Sequence, residues 1–226
     1  MNHQKTILLA AALLALGGNA FAQSAGTWSA SVGVTHIAPS VDSGNLTSIP
    51  LHGTLPNTQV DVNSNTQLTG AVNYMATDHI GLHLPLATGF KHEVSGAGAI
   101  AGTGKLVDTK ALPITLIAQY RFMDANATFR PYLGAGLTYV KFYKEKGTAL
   151  LTALTNPGGS ATGVSFESKL APTFQLGGIF NFSEKWFVEA SYAKTLVKTR
   201  ATLTTGQTID VRLNPSSYTL QVGYKF

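Results

Sequence analysis

The chain has 226 residues, of which 44% are hydrophobic and only 12% are charged, and it contains no cysteine. A soluble domain usually carries about a quarter of charged residues, so this charged fraction is roughly half of the expected one. Beyond residue 22, no stretch reaches the roughly 20 apolar residues that a spanning helix needs. These figures exclude intrinsic disorder, a disulfide scaffold, a cysteine-ligated metal or iron–sulfur protein, and a helical-bundle membrane protein.

The first 22 residues have the layout of a secretory signal peptide. Lys5 gives a positively charged start, residues 7–16 form an apolar run, and Ala20-Phe21-Ala22 supplies the small-x-small cleavage pattern. The run is too short to span a bilayer, and a buried N-terminal helix is the alternative reading. We therefore predict cleavage before Gln23 and a mature domain of residues 23–226, which would be exported.

The C-terminal segment alternates strictly between two kinds of side chain. Residues 218, 220, 222, 224 and 226 are apolar or aromatic, and the four residues between them are polar or glycine. A period of two places these sets on opposite faces of a β-strand.

The same period marks seven further segments, so we predict eight strands. They lie at 28–38, 66–75, 80–90, 110–122, 129–142, 170–182, 186–196 and 218–226. Short turns at 76–79, 123–128 and 183–185 alternate with long polar loops at 40–65, 91–109, 143–168 and 197–215.

Alternation alone does not separate a soluble barrel or sandwich from a membrane barrel, in which the apolar face meets lipid. The regular change between short turns and long loops is typical of outer-membrane barrels, and so is an aromatic C-terminal residue. Aromatic residues also concentrate at the predicted strand ends, as expected for girdles at two membrane interfaces. These are Trp28, Tyr74, Phe90, Tyr120, Phe129, Tyr139, Phe182, Trp186, Tyr224 and Phe226.

We therefore predict an all-β fold: an eight-stranded antiparallel transmembrane up-and-down β-barrel with three short periplasmic turns and four long extracellular loops. Unpaired backbone groups are costly in lipid, so the last strand must pair with the first. Eight strands leave a lumen just wide enough to be filled by side chains, which disfavours an open diffusion pore.

Several segments in order resemble the OmpW family of small outer-membrane barrels over nearly the whole mature chain. They are VDVNSNTQL at 60–68, YMATDHIG at 74–81, FKHE at 90–93, LP at 112–113, FRPYLGAGL at 129–137, KWF at 185–187 and VGYKF at 222–226. The resemblance implies a narrow, largely hydrophobic upper channel for small hydrophobic molecules, which leave sideways through the barrel wall. The sequence departs from the family pattern at Gly89 and Ile114, where the family usually has proline, and at Ser216, where it often has tryptophan.

Pro85, Gly89 and Pro113 are the candidate lateral gate. Neither proline can donate a hydrogen bond to a strand ladder, and glycine adds backbone freedom. The wall between the third and fourth predicted strands is therefore expected to be weak there. Simple bending at a barrel corner explains the same residues equally well.

Arg121, Arg130 and Glu189 have inward parity, and we predict an Arg–Glu cluster that closes the periplasmic half of the lumen. Tyr132, Gln119, Gln175 and Asn73 would surround it. Charges in so confined a space are expensive unless they are paired. The cluster is either a plug against straight-through flow or ordinary polar filling of a narrow barrel.

No catalytic, cofactor-binding or metal-binding residues are predicted, because no zinc-protease or serine-hydrolase motif accompanies the histidines. We expect no enzyme, no cofactor and no nucleic-acid partner. Some eight-stranded barrels modify lipids, so the fold alone does not exclude an enzyme.

The long loops suggest a vestibule and partners. Leu46, Ile49, Leu51 and Leu55 are its candidate lining, and residues 148–155 are expected to form one or two helical turns over the barrel mouth. Scattered loop lysines and arginines either bind anionic outer-membrane lipids and lipopolysaccharide or are simply solvated. Phe226 is the expected signal for the barrel-assembly machinery.

Two functions remain open at this point. One is an outer-membrane channel or carrier for small apolar solutes, which predicts that detergent or alkane chains bind in the upper lumen. The other is a structural or surface-interaction barrel, serving envelope integrity or phage and toxin attachment, which predicts partner binding through the loops.

Overall fold

A computed structural model describes residues 23–47 and 53–226 of the chain. The predicted signal peptide and two of the proposed vestibule residues, Ile49 and Leu51, lie outside these described residues. Within them no helix is long and apolar enough to span a membrane.

Eight antiparallel segments form the barrel wall, and the third of them consists of two strands in succession. The wall strands are β1 (Trp28–Ala38), β4 (Asn65–Met75), β5 (Ile80–Leu86) continued by β6 (Phe90–Gly98), β7 (Lys105–Arg121), β8 (Phe129–Gly147), β10 (Lys169–Asn181), β11 (Trp186–Thr195) and β14 (Ser216–Lys225). The other elements are β2 (Asp42–Ser43), β3 (Thr58–Val62), β9 (Val164–Phe166), β12 (Lys198–Leu203), β13 (Thr208–Arg212) and the helix α1 (Ala149–Thr155).

The barrel is closed because its first strand pairs with its last. Val32 of β1 lies opposite Val222 of β14 on one side and Gly70 of β4 on the other. The Phe226 N–H also donates to the Trp28 carbonyl at 2.9 Å. No open sheet edge is therefore left at this seam, as a bilayer requires. The predicted fold class is confirmed.

The polarity of the wall is that of a membrane protein. Large apolar side chains such as Leu68 (70% exposed), Leu133 (56%) and Leu220 (55%) point outward. Their neighbours in sequence, which include Thr69 and Gln221, are buried in the lumen. This arrangement inverts the pattern of a soluble barrel, and the outward side chains form the surface that contacts lipid.

Aromatic contacts occur at both ends of this apolar band. At the periplasmic end Trp28 and Tyr74 have ring centroids 4.8 Å apart, and Trp186 and Tyr224 are 5.0 Å apart. At the outer end Tyr192 and Tyr218 are 5.3 Å apart. The predicted girdles are present, with one correction: Phe90 is 1% exposed and lies inside the barrel.

Phe90 lies inside because the third wall segment is broken. The prediction of one strand over 80–90 was wrong in this respect: β5 ends at Leu86 and β6 begins at Phe90. Even-numbered residues face lipid before the break, as Leu84 does, whereas His92 and Val94 after it face inward. The three intervening residues reverse the parity, a shift that the sequence pattern alone does not reveal.

The long loops are more ordered than predicted. β7 and β8 continue above the membrane and pair up to Val107↔Gly147, while β2, β13, β12 and β9 form a second, four-stranded sheet. Within the predicted loop 91–109, only residues 99–104 form the turn between β6 and β7. The predicted helical turns are α1, whose N-cap Thr148 accepts a hydrogen bond from the Leu151 N–H. This extracellular sheet and helix cover the barrel mouth.

A charge on the lipid face should destabilise the barrel according to its depth. We expect Leu176→Arg, in the middle of β10, to lower the free energy of unfolding by about 2–4 kcal/mol. The same substitution at Leu170, at the outer end of β10 opposite Tyr139, should cost only about 0–1 kcal/mol. Urea unfolding in lipid vesicles measures the free energy of unfolding of both variants. Equal losses would contradict the placement of Leu176 deep in the bilayer and of Leu170 near its surface.

Candidate functional site

The lumen narrows to a polar floor at its periplasmic end. Arg121 on β7 is 1% exposed, and its guanidinium donates to Gln119 Oε1 at 2.9 and 3.3 Å and to Gln23 Oε1 at 2.8 Å. Gln119 in turn donates to Gln175 Oε1 at 2.9 Å. These side chains join β7 to β10 and to the segment before β1, so the floor is a hydrogen-bonded layer in the lumen.

Arg130 on β8 forms a second layer below the first. It is fully buried and donates to the backbone carbonyls of Gln23 at 3.1 Å, Phe122 at 3.3 Å, Met123 at 3.3 Å and Asp78. Two periplasmic turns and the segment at Gln23 are thereby held together under the lumen by one guanidinium.

Glu189 on β11 is also buried, at 2% exposure, but no ion pair joins it to either arginine within the described residues. Its Oε1 instead accepts the hydroxyl hydrogen of Tyr132. The three predicted residues therefore share one end of the barrel, but the expected direct Arg–Glu contact is replaced by amide, carbonyl and phenol partners. The alternation of inward and outward positions predicted that these residues face the lumen, but it does not predict their hydrogen-bond partners.

A belt of threonines lies above the floor. Their hydroxyl oxygens are 2.6–2.9 Å apart along the wall: Thr35–Thr69, Thr35–Thr219, Thr115–Thr138, Thr138–Thr173 and Thr173–Thr195. Because each hydroxyl forms a hydrogen bond with a neighbouring threonine, these groups do not need a polar partner from a molecule in the lumen. We had not predicted the belt, although threonine at inward parity in several strands was a usable signal.

The upper lumen holds an apolar cavity of about 160 Å³. Its walls come mainly from the outer halves of the strands and include Phe90, Val140, Phe142 and Val197. His83 and Glu189 lie at its lower end and the threonine belt surrounds its middle. The polarity of the lumen thus changes with height, from charged at the base to apolar at the mouth.

The wall beside this cavity is interrupted. β5 pairs with β7 only up to His83↔Ile117, and β6 resumes the pairing at Phe90↔Ala111. No β-pairing joins residues 84–89 to residues 112–116 in the described chain. We call this interruption the wall gap.

The wall gap contains the predicted gate residues. Pro85 and Pro113 lie on its two sides and both line the apolar cavity. Each is still paired on its other side, Pro85 with Ala71 and Pro113 with Val140. Gly89 lies at its outer end, where a Cβ would overlap the Tyr143 ring. The three predicted gate residues therefore lie at the wall gap, and passage of a solute through it stays a prediction.

A second cavity of about 140 Å³ lies further out, between the extracellular sheet and α1. Leu46 and Leu55, the described members of the proposed vestibule, line it together with Leu151 and Ile209. Val60, Val94, Phe166 and Val211 border both cavities. Apolar surface therefore runs from the outer end of the protein down to the wall gap.

Ion pairs tie the extracellular part together. Arg200 on β12 donates to both carboxylate oxygens of Asp210 on β13, at 2.7 and 3.1 Å, and this holds the pKa of Asp210 below its usual range. The Lys105 ammonium, 3.0 Å from Asp108, likewise lowers the pKa of Asp108. A lowered carboxyl pKa stabilises the folded state above the ordinary pKa, and this stabilisation is lost as the pH falls. Both pairs are half-exposed, so their contribution is small.

These features define a class of protein. A closed eight-stranded barrel with a lipid-facing apolar band, two aromatic girdles, a hydrogen-bonded polar floor and a large extracellular part is a small outer-membrane barrel. Within the described residues no three His, Asp or Glu side chains are grouped to hold a metal ion.

Comparisons with known proteins agree with this class. The model of the OmpW family matches residues 24–226, and the chain belongs to that family. It is 34% identical to outer membrane protein W of Vibrio cholerae serotype O1 (strain ATCC 39315 / El Tor Inaba N16961), over 99% of this chain and 100% of that protein. The crystal structure of OprG from Pseudomonas aeruginosa superposes with a TM-score of 0.82 at 27% identity, covering 92% of this chain and 99% of that one. A relative of 24% identity over 99% of both chains is the dibenzothiophene metabolism operon protein PahQ of Pseudomonas aeruginosa. The protein is accordingly located in the outer membrane.

The floor should limit ion flow. We expect Arg121→Ser to raise the ion conductance of the barrel in planar bilayers, because it removes the group that joins Gln119 to Gln23. Arg212→Ser is the matched control, since Arg212 pairs with Asp42 on the extracellular surface. Unchanged conductance in a folded Arg121→Ser barrel would mean that the Arg130 layer suffices to close the base.

Proposed function

We propose that this barrel carries small hydrophobic molecules from the outer surface to the wall gap, through which they enter the membrane sideways. The observation that carries the proposal is the apolar cavity that reaches the gap above a closed floor. Pro85 and Pro113 border both the cavity and the gap.

The floor opposes straight passage of an apolar solute. Such a molecule would have to separate Arg121 from Gln119 and Gln23, leaving buried donors and acceptors unpaired. Each broken bond of this kind costs about 1–3 kcal/mol. No ladder hydrogen bond joins residues 84–89 to residues 112–116, so movement through the wall gap breaks none between these strands, and the lateral route has the lower barrier.

The outer rim of the wall gap favours the same route. Leu84, Leu86, Ile114 and Leu116 flank it and are 39–54% exposed on the lipid side. A solute that leaves the cavity there moves from the apolar lining of the cavity to the apolar rim and the lipid. The transfer from water to lipid is then the driving force, about 25 cal/mol for each Å² of apolar surface removed from water.

Relatives and location support the proposal. The name of the relative PahQ contains dibenzothiophene, which is an apolar aromatic compound. The surroundings of an outer-membrane barrel are lipid and lipopolysaccharide, and the lipid leaflet is the destination that the lateral route requires. We further propose that Phe226, whose ring lies 5.4 Å from that of Tyr224, is recognised by the barrel-assembly machinery.

A disulfide across the wall gap tests the lateral route. Continuing the β5–β7 register places Leu84 opposite Leu116, and the chain has no other cysteine. We expect the oxidised Leu84→Cys/Leu116→Cys variant to reduce uptake of a small apolar solute into lipid vesicles severalfold, and reductant to restore it. Uptake of a charged solute, measured in parallel, should stay at the level of empty vesicles.

The matched control uses the same two strands where they are already paired. Leu82 lies opposite Ala118, and both side chains face lipid. The oxidised Leu82→Cys/Ala118→Cys variant should transport at the rate of the parent protein. If the Leu84–Leu116 disulfide forms and uptake is unchanged, the lateral route is wrong; if the parent barrel itself gives no apolar uptake, a structural or surface-interaction barrel is the better reading.

A further inference from the structure

The lower end of the apolar cavity contains a buried carboxylate oxygen without a partner. Glu189 is 2% exposed and lines the cavity. Its Oε1 accepts from Tyr132, but its Oε2 has no hydrogen-bond partner among the described residues. A buried charged acceptor that lacks a donor is costly, so this position favours a ligand that brings one.

His83, on β5, lines the same cavity. Its Nδ1 lies 2.6 Å from Asn73 Oδ1. Because the amide oxygen can only accept, Nδ1 must carry the hydrogen, and the neutral ring then has its lone pair on Nε2. His83 is 4% exposed and lines the cavity, as Glu189 does. His83 Nε2, which carries no hydrogen, therefore does not supply the donor that Glu189 Oε2 lacks.

The charge around this floor selects among possible head groups. Arg121, Arg130 and Lys225 are buried at this end of the barrel, and Glu189 is the one buried carboxylate of the described chain. The surplus of positive charge opposes an alkylammonium ion. An alkyl carboxylate is opposed for a different reason, since it has no hydrogen to donate to Glu189.

We propose that the cavity floor binds the hydroxyl of a neutral amphiphile, such as a straight-chain primary alcohol, whose alkyl chain occupies the apolar cavity above. The hydroxyl donates to Glu189 Oε2. This inference rests on the proposed function in that the cavity is the path of the solute, and it adds a preference, among apolar molecules, for those with one hydrogen-bond donor.

The test compares two ligands that differ only in the donor. 1-Octanol and methyl heptyl ether have similar size, but the ether cannot donate a hydrogen bond. Binding to the barrel in lipid nanodiscs is measured against partitioning into empty nanodiscs of the same lipid. We expect the barrel to prefer octanol about tenfold, the equivalent of one hydrogen bond to a charged group.

Glu189→Gln should reduce this preference to nearly one. The glutamine oxygen still accepts from Tyr132, and the new amide N–H can donate equally to the oxygen of the alcohol or of the ether. Glu184→Gln is the matched control, because Glu184 lies in an exposed periplasmic turn, and it should keep the preference. Heat-modifiable electrophoretic mobility shows whether each variant is folded.

Several outcomes decide the matter. Equal binding of octanol and ether to the parent protein, or a preference that survives Glu189→Gln, overturns the inference, and so does tighter binding of octylammonium than of octanol. A donor preference that depends on Glu189 in a barrel that transports nothing supports the binding site and rejects only transport. Uptake of apolar solutes without any donor preference supports transport and rejects the binding site at Glu189.

Discussion

The absence of water in the bilayer is the constraint on which the rest of this structure depends. Every N–H and C=O in the hydrocarbon region must be paired within the protein, and each one left unpaired costs several kcal/mol. The pairing of β1 with β14 satisfies this requirement at the seam. The closed barrel separates the lipid outside from the lumen inside. The period-two pattern therefore places apolar side chains in lipid and polar ones in the narrow lumen.

The wall gap conflicts with this constraint, and its residues show how the conflict is reduced. Pro85 and Pro113 have no N–H, so two of the donors that an interrupted ladder would leave unpaired do not exist. Tyr139 of the outer girdle pairs with Ile114, so the gap lies near the membrane interface, where head groups and water supply partners. The same opening deeper in the bilayer would cost far more.

The sequence predicted the parts of this structure that follow from local periodicity. Segment 28–38 coincides with β1, and the short turns and the helix after Thr148 were also located. The parity reversal before Phe90 was missed because it depends on residues 87–89, which leave the strand conformation although the segment remains as apolar as a strand. The extracellular sheet was missed for another reason: its two shortest strands, β9 with three residues and β2 with two, pair only across long sequence separations.

The same limit applies to the candidate site. Parity identified Arg121, Arg130 and Glu189 as lumen residues, because inward and outward positions alternate along each strand. It did not identify their partners, since these depend on strand stagger around the barrel, which brings Arg121 to Gln23 and Tyr132 to Glu189. Charge balance alone suggested an Arg–Glu pair, whereas the Arg121 guanidinium is satisfied by the amide oxygens of Gln119 and Gln23. Glu189, which lines the cavity, keeps its Oε2 without a hydrogen-bond partner among the described residues. The closed floor and the acceptor above it therefore arise from one arrangement. The arginines donate to amide and backbone oxygens at the base of the barrel, and Glu189 is left without an ion pair beside the apolar cavity.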